Sequence, residues 1–553
     1  MPPNLSDHDL KQMDEAWQRH QSDETVRGLL ARALDDLRRA RDRLNQTPDN
    51  SSRPWGSMPP WQRDAGTAGD TAQDDALPDD DTDLQSERPD QPLDDAADSS
   101  QQPDAKCTAA APVQAQDKAP ARAGRRVGAP GFGRQQKLVP SRAEEHRPSC
   151  CTACLLPLPS DGRIQAWTGW DTLELVALSA PGEAAPSVLG ARIEVTRHLL
   201  MQQSCPCGHT TRAQAARADG DLLWPGVAIS QQRLLGPRLA ATVVYLCVRM
   251  RLPRRKVSEL LLELFGLQLS PALIDQTVHQ AARSVAPLEE QLAQQLEHAA
   301  LVHADETSWA EAGQALWLWV LCCCHTVLYM IGARTKEMLD NALSTGFGGR
   351  LMTDGYAAYR SRLQRLRCWA HLRRKLRGVA ESTDRRAAQA GTAMLQMFDE
   401  LMAAVFEARA RLAQPPPSLT HAHLVEQLHQ LCEQHRDSSH KALRDVAREF
   451  LNDWDVIVRP LADPRLPLTN NAAERQLRHY VIARRISYGT RTPVGSHSVA
   501  LLASVIDTCR LRCASATDLL ARAILAARMG RPAPDLPPIP THLANPDAHL
   551  VAA

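Results

Sequence analysis

Two consecutive stretches, LVHADETSW at 301–309 and ALWLWVLCCCHTVLYMIG at 315–332, predict the central part of the fold. The first alternates as a strand does, so Asp305 and Glu306 should lie on opposite faces. The second is long enough to cross a membrane. Its aromatic and β-branched residues, with the polar His325 near its centre, instead favour two buried strands joined by a tight turn.

The residues that follow extend this pattern. Residues 334–343 predict a short helix, and residues 350–353 predict a strand that delivers Asp354 at its end, beside a turn at Gly355. Strand, hairpin, helix and strand follow one another in this order in a ribonuclease-H-like core. We therefore expect a mixed α/β protein built around such a core.

Three acidic residues, Asp305, Asp354 and Glu474, lie in contexts that would direct their carboxylates to one point. Glu474 follows an acceptor-rich turn at 468–471 and falls in the first turn of a helical pattern that continues to Arg485. Hard divalent cations prefer oxygen ligands, and paired metal ions can activate an attacking hydroxyl and stabilise a leaving oxygen in an in-line phosphoryl displacement. The pattern predicts a metal-dependent site for DNA strand transfer.

Each acid also has a structural interpretation. Asn471 as N-cap, with Glu474 three residues later, forms a capping-box pattern, and Glu474 with Arg478 has the spacing of a helical ion pair. Asp305 in a strand and Asp354 before a glycine turn are, taken singly, more often structural than catalytic. The combination of all three acids favours the catalytic interpretation.

Four motifs occur in one order along the chain. They are DET at 305–307, DGYAAY at 354–359, CWAHLRRKL at 368–376 and NNAAERQLR at 470–478. In these motifs the chain resembles transposases of the insertion sequence sixty-six family, and the similarity extends from about residue 26 to about residue 515. The resemblance implies a ribonuclease-H-like fold and a DDE triad of Asp305, Asp354 and Glu474.

The resemblance also implies a reaction and its cofactors. A transposase of this kind hydrolyses a phosphodiester at the element end and then uses the freed 3′-hydroxyl to attack target DNA, with no covalent protein–DNA intermediate. Asp305 would bridge two Mg²⁺ or Mn²⁺ ions, while Asp354 and Glu474 would each complete one site. The expected partners are the terminal repeats, target DNA, further copies of the chain, and accessory proteins encoded by the same element.

The charge of the chain agrees with a DNA partner once the chain is divided. There are 64 basic and 64 acidic residues, but residues 64–104 hold fourteen acidic residues and only Arg88 as a base. The remainder has 63 basic against 50 acidic residues, a net charge of +13. We expect neither an N-terminal signal nor a membrane span, and hence a cytoplasmic location.

Fourteen unevenly spaced cysteines do not predict a secreted disulfide framework. Two close pairs instead predict a structural zinc site, because each pair can supply two thiolates to a tetrahedral ion. The pairs are Cys151 with Cys154 and Cys205 with Cys207. The resemblance implies a zinc-binding segment here, but with a wider second pair, so the fourth ligand stays open, with Cys150 and His209 as substitutes. Free cysteines in a poorly ordered linker are the alternative.

The three consecutive cysteines at 322–324 fall inside the predicted hairpin. Because cysteine behaves as a small hydrophobic residue when buried, we expect these three to fill space there.

Basic residues near the acids predict contacts with the phosphates of a bound DNA end. They are Arg373, Arg374, Lys375, Arg475, Arg478, Arg484 and Arg485. His371 would contact the scissile phosphate or fill a packed, hydrogen-bonded site. Solvated helix faces carry similar charge, so the structural alternative stays open for each of them.

The N-terminal third has two kinds of segment. Leucines among charged residues at 22–45 predict a short amphipathic helix, which would pair with another copy in a coiled coil or pack within one chain. Residues 46–149 are rich in Pro, Asp, Gln and Gly and predict disorder. Their basic stretch at 124–137 would be an arm on the phosphate backbone or a plain linker.

Two helical regions flank the first part of the core. Residues 254–283 predict two helices around a turn at Gly266, the second capped by Ser270 with Pro271 at its first position. This is the pattern of a DNA-binding helix-turn-helix, although such pairs are also packing units and the second helix has few side chains suited to base edges. Residues 377–460 predict a mainly helical insertion that leaves the strand order intact.

These predictions divide the chain into eight segments. They are a helical segment at 1–45, a linker at 46–149, a zinc-binding segment at 150–215, a helical region at 230–298, a catalytic core at 299–376 and 461–529, the insertion at 377–460 within it, and a proline-rich tail at 530–553. Two other functions stay open: a catalytically silent DNA-binding regulator derived from a transposase, and a ribonuclease-H-type structure-specific nuclease.

Overall fold

The computed structural model describes seven ranges of the chain. They are residues 22–44, 136–160, 162–177, 191–214, 234–362, 364–411 and 415–543. Nearly all of the predicted linker, including most of its basic stretch, lies outside these ranges, as do the last ten residues of the tail. Within the described ranges no helix combines the length and the apolar character that crossing a bilayer requires.

The N-terminal helix α1 spans Asp23–Leu44, which confirms the helix predicted there. Its C-terminal end contacts the start of the insertion, because Asp42 accepts hydrogen bonds from Ser382 Oγ at 2.9 Å and from the Thr383 N–H at 2.8 Å. Leu30 and Leu37 are more than half exposed. Pairing of α1 with a second copy stays a prediction.

A first sheet follows, built of strands β1 to β4. They are Arg142–His146, Ile164–Ala177, Ala191–Ser204 and Thr210–Arg212. Strand β3 is central and pairs in parallel with β1 and antiparallel with β2 and β4. The predicted boundary between linker and zinc-binding segment at residue 150 was therefore wrong. Strand β1 lies inside the predicted linker, and its pairing with β3 buries His146, a long-range contact that composition does not report.

Four helices lead from this sheet to the core. Helices α2 to α5 span Pro237–Val248, Arg254–Phe265, Pro271–Val285 and Leu288–Glu297. The predicted turn and cap are both present: Gly266 ends α3 at φ 62°, a conformation that favours glycine, and Ser270 accepts a hydrogen bond from the Leu273 N–H. Helix α4 buries one face, including Ile274, in the main core, which favours a packing role for that face.

The second sheet contains five strands, β5 to β9. They are Leu301–Glu311, Gln314–Cys322, Val327–Gly332, Arg350–Thr353 and Arg365–Arg367. Their order across the sheet is β7-β6-β5-β8-β9, with β5, β6 and β7 antiparallel and with β8 and β9 parallel to β5. Helix α6, Lys336–Ala342, precedes β8. The predicted hairpin, short helix and strand are all confirmed.

The insertion forms a helical unit with its own core. Helix α7, Trp369–Ala380, enters it, and α8 to α13 follow at Arg385–Ala410, Pro417–Thr420, Ala422–His435, Lys441–Asn452, Trp454–Ile457 and Arg459–Ala462. The aromatic rings of Trp369, Phe398 and Phe450 are buried against one another at its centre. Because burial of large rings is strongly favourable, this unit has a hydrophobic core of its own.

Three helices complete the main core. Helices α14, α15 and α16 span Asn471–Ser487, Pro493–Leu511 and Ala516–Arg528. Helix α15 packs on the edge strand β7, where Ser504 and Thr508 accept hydrogen bonds from the N–H groups of Tyr329 and Val327 at 2.8 and 3.0 Å. These bonds satisfy backbone groups that an edge strand would otherwise leave unpaired.

Candidate active site and metal centres

Asp305 and Asp354 lie beside each other because of the register between two parallel strands. Val302 pairs with Leu351 and His303 with Met352. If this register is continued by two residues, Asp305 lies opposite Asp354, which directly follows the last residue of β8. Side chains two residues apart lie on the same face of a strand. The two carboxylates therefore share one face at the carboxyl end of β8.

Glu474 is brought to the same place by the residue that precedes its helix. Asn470 is fully buried, and its side-chain amide donates to the Ala304 carbonyl at 2.9 Å and accepts from His303 Nδ1 at 3.1 Å. These bonds fasten the start of α14 to β5 next to Asp305. Sequence reasoning did not single out Asn470 or His303 for this role, although strand alternation does put His303 on the face of Asp305.

The three acids act on one another electrostatically. Burial raises the pKa of Asp305 well above its ordinary value, and the charges of Asp354, Glu306 and Glu474 raise it further. Burial also raises the pKa of Glu474; the charge of Arg374 opposes this effect, and the charge of Asp354 adds to it. Among the described residues, neither Asp305 nor Asp354 has a cationic side chain within ion-pair distance. Uncompensated negative charge of this kind is what a bound cation neutralises.

The capping-box alternative for Glu474 was wrong in its geometry. The N-cap of α14 is Asn470 rather than Asn471, and it makes no side-chain capping bond. The Glu474 carboxylate lies 3.7 Å from His371 Nδ1 and 4.0 Å from Arg374, and the expected pair with Arg478 does not form in the described part of the chain. Glu474 therefore points away from its own helix backbone and toward α7.

Two buried polar atoms at this point have no hydrogen-bond partner among the described residues. They are Glu474 Oε1 and His371 Nδ1. Burial, together with the charges of Arg374, Lys375 and Arg367, lowers the pKa of His371 to about 3, so its imidazole is neutral at pH 7. Cys368, His371 and Glu474 each place one potential ligand atom within 4.8 Å of the others. Buried polar atoms are costly without partners, and a metal ion is one way to satisfy them.

Glu306 lies on the opposite face of β5, as strand alternation predicts. Its side chain is almost fully buried and pairs with Arg334 at 2.6 Å. The Tyr359 hydroxyl donates to its other oxygen at 2.5 Å. With both oxygens occupied, Glu306 is a structural residue rather than a free ligand.

The comparison with known sequences identifies the family of this region. A sequence model of the Transposase IS66 family matches residues 232–498, a range that contains all three acids. The matched region, just under half of the chain, is similar to transposases of this family.

One curated relative adds a more distant match. The uncharacterized protein y4qI of Sinorhizobium fredii (strain NBRC 101917 / NGR234) is 28% identical over 223 residues. The match covers 37% of this chain and 40% of the relative, so the chain spans well under half of that protein's length.

Apart from Arg374, which lies 4.0 Å from Glu474, the basic residues predicted to contact DNA divide into two groups. Some are already paired: Arg373 with Asp399 at 2.6 Å, Lys375 with Glu449 at 2.8 Å, and Arg484 with Thr307 Oγ1 at 2.8 Å. The exposed members of the set lie along α14. They are Arg475, Arg478 and Arg485. Contact of either group with DNA stays a prediction.

The four predicted zinc ligands converge in the first sheet region. The sulfurs of Cys151 and Cys207 are 3.6 Å apart, as are those of Cys154 and Cys205, and all four lie within 4.8 Å of one another. Backbone N–H groups, that of Cys154 first, lower the pKa of the Cys151 thiol to about 6, which favours the thiolate form. The arrangement is compatible with a tetrahedral zinc site.

Both cysteines of the shorter second pair belong to this cluster. Cys207 completes the set of four, whereas His209 uses its Nε2 in a 2.9 Å hydrogen bond with Thr152 Oγ1. The thiols in the described ranges are all free, so no disulfide competes for them there.

The three consecutive cysteines lie where the hairpin was predicted. Cys322 and Cys323 are buried, and Cys324 is half-buried in the turn between β6 and β7. Cys323, Cys324 and His325 also bring potential ligand atoms within 4.8 Å of one another. Cys322 is the most deeply buried of the three, so it supports the predicted space-filling role most clearly.

Proposed function

We propose that this chain is an active DDE transposase of the IS66 family that cleaves DNA at the ends of a bacterial insertion sequence and joins the freed 3′-hydroxyl to target DNA. The strand order β7-β6-β5-β8-β9, with the first three strands antiparallel and the last two parallel to β5, supports a ribonuclease-H-like core. In that fold we assign the catalytic roles to Asp305, Asp354 and Glu474.

One observation carries the proposal. Asp305, within β5, lies opposite Asp354, which directly follows β8, and a buried asparagine anchors the Glu474 helix to β5 next to Asp305. Among the described residues Asp305 and Asp354 have no cationic side chain within ion-pair distance, and a folded protein rarely brings acids together in this way, since the arrangement costs stability. Such a site is best explained by a positively charged cofactor that binds there during function.

The donor set fits Mg²⁺ or Mn²⁺. Carboxylate oxygens are the ligands that both ions accept, and Glu474 Oε1, which has no hydrogen-bond partner among the described residues, provides one. Asp305, as the acid coupled to both others, would contact two ions, with Asp354 and Glu474 each serving one. Bound ions would supply an activated hydroxyl and stabilise the leaving oxygen.

The surrounding residues would hold the DNA. Arg475, Arg478 and Arg485 expose guanidinium groups along the helix that carries Glu474, and such groups neutralise backbone phosphates. His371 is neutral and lies beside Glu474, so it would position the Glu474 carboxylate or donate to a phosphate oxygen rather than add charge. The four-cysteine site would hold a structural Zn²⁺, and the working compartment would be the cytoplasm.

The test is cleavage and strand transfer on DNA that carries the element's own ends, with Mg²⁺ or Mn²⁺ present. Asp305→Asn, Asp354→Asn and Glu474→Gln should each lower the rate by at least about 100-fold, because each removes a charged metal ligand while keeping shape. Glu400→Gln, on the exposed face of α8, is the matched control and should cleave as wild type does.

The outcomes separate the other candidate functions. Specific end binding without cleavage by the wild-type chain would indicate a silent regulator. Cleavage without joining of the 3′ end to a target would indicate a structure-specific nuclease. If Glu474→Gln alone stays active, the third ligand lies elsewhere and the triad assignment is wrong.

A further inference from the structure

A second cluster of potential metal ligands lies on the first sheet, apart from the four cysteines. It consists of Glu144 and His146 of β1 and His198 of β3. Glu144 and His198 are direct partners in the parallel pairing of these strands. His146 lies two residues after Glu144 and therefore on the same face. Three side chains with metal-binding chemistry thus converge across two adjacent strands.

The distances between the ligand atoms are short. His146 Nε2 lies 2.9 Å from His198 Nδ1, and Glu144 Oε2 lies 3.4 Å from the same nitrogen. All three ligand atoms fall within 4.8 Å of one another. Ligands of one zinc ion, each roughly 2.0–2.2 Å from the metal, have such separations after small adjustments.

The surroundings hold these groups in place. Trp170 of β2 stacks on the His198 ring, with centroids 5.1 Å apart and planes inclined by 20°, and also lies nearly parallel to the His146 ring. Arg142 pairs with the second oxygen of Glu144, which leaves Oε2 directed at the histidines. Supporting contacts of this kind orient the ligands in metal sites.

The burial of the histidines also suits a metal site. Both rings are buried, at 7% and 2% exposure, and imidazole nitrogens are ligands that divalent transition metals accept. A hydrogen-bonded histidine pair that holds no metal is the structural alternative.

We propose that Glu144, His146 and His198 bind one divalent transition metal ion, zinc being the best suited, at a site separate from the four cysteines. Two imidazoles and one carboxylate match the nitrogen and oxygen ligands that zinc accepts. Three protein ligands leave a fourth position open for water or another small ligand. After each of these strands has supplied ligands to the proposed site, the chain continues to the four cysteines: Cys151 follows His146 by five residues, and Cys205 follows His198 by seven.

Metal binding at this site does not require DNA cleavage, so the metal content of the protein tests it directly. The full-length chain is saturated with Zn²⁺, desalted, and its metal content determined by mass spectrometry. Wild type should retain about two ions per chain, and Glu144→Gln or His146→Gln about one. Glutamine at 146 keeps an amide that can donate to His198, so the hydrogen bond survives while the ligand is lost. Glu145→Gln, exposed on the opposite face, is the matched control and should keep both ions.

Co²⁺ loading assigns each ion to its ligands. The Cys205→Ser, Cys207→Ser double variant should lose the intense thiolate-to-cobalt absorption and retain one weakly absorbing ion. Adding Glu144→Gln to that double variant should weaken the remaining Co²⁺ binding by roughly tenfold or more, because even the supporting contacts of metal ligands are worth about 10- to 100-fold.

Three results would overturn the proposal. One is a single zinc ion per wild-type chain, a result that does not depend on whether any variant folds. Another is two ions that persist in both Glu144→Gln and His146→Gln. The third is a double cysteine variant that folds but holds no metal.

Discussion

Two acidic clusters in this chain differ in whether the protein supplies positive charge to balance them. Asp453 is 1% exposed and pairs with Arg365 and Arg367 at 2.6 Å each. Asp305 and Asp354 have no cationic side chain within ion-pair distance in the described part of the chain. Acids that serve packing are accompanied by their own arginines, whereas acids without them leave a place for a cation from solution.

The two clusters almost touch, which makes the contrast sharper. Arg367 also pairs with Glu449, and a Cβ atom on Gly355 would lie 2.7 Å from Glu449 Oε1 and 2.8 Å from the Arg367 guanidinium nitrogens. Gly355 follows Asp354 directly. Arg367 of β9 therefore comes close to the turn after Asp354, yet its two terminal nitrogens pair with Asp453 and Glu449 and not with Asp354.

The largest expected effect concerns metal preference. Asp354→Cys should lose at least about 100-fold of its cleavage rate in Mg²⁺, because a thiolate is a poor ligand for a hard cation, and should recover part of that rate in Mn²⁺. Cleavage of element-end DNA in the two metals provides the measurement. Equal loss in both metals, with wild type active in each, would argue that Asp354 does not bind the ion.

The next largest effect should be a loss of stability in the Asp453 cluster. Asp453→Asn should lower the free energy of unfolding by about 3–5 kcal/mol, because it leaves buried arginines without their countercharge. Urea denaturation measures it, with Asp455→Asn, an exposed acid two residues later, as control. A loss no larger than that of the control would show that the arginine network does not stabilise the fold.

Glu306 lies on the same strand as Asp305, and its replacement should have an effect of intermediate size on stability. Glu306→Gln should lower stability by about 1–3 kcal/mol, since Arg334 and Tyr359 both lose their charged partner, while the folded protein should cleave DNA at nearly the wild-type rate. Combining it with Arg334→Gln should give less than the sum of the two single effects. Loss of cleavage at unchanged stability would instead make Glu306 a ligand.

The smallest effect is a gain of stability that depends on pH. Because the folded-state pKa of Asp305 lies above its ordinary value of 3.8, the folded protein holds a proton that the unfolded chain releases as the pH rises. The free energy of unfolding of the wild type therefore falls as the pH rises from 3.8 through the folded-state pKa, and Asp305→Asn avoids this loss. Without added Mg²⁺ or Mn²⁺, the variant should melt higher at pH 7, by roughly 2 °C or more, and match wild type below pH 3.8. A constant difference at both pH values would exclude this carboxyl as the cause.

Local patterns in the chain were enough to predict several elements. Strand alternation separated Asp305 from Glu306, the hairpin and the strand before Asp354 follow from short apolar runs, and Ser270 capped its helix as expected. Cysteine spacing located the four-thiol cluster. Each of these features depends on residues within a few positions of one another, where periodicity and capping preferences act directly.

Other features depend on pairings between distant parts of the chain. Asn470 anchors the Glu474 helix through bonds to residues 166 and 167 positions earlier, and His146 meets His198 only because β1 and β3 pair in parallel across 52 positions. Arg373 and Lys375 resemble free phosphate-binding residues in the sequence, yet the insertion supplies their acidic partners. The sequence by itself specified which chemical groups were present and which local elements carried them. Only the tertiary structure decided which charges were neutralised and which stayed free to bind a cation, because that depends on contacts across the folded core.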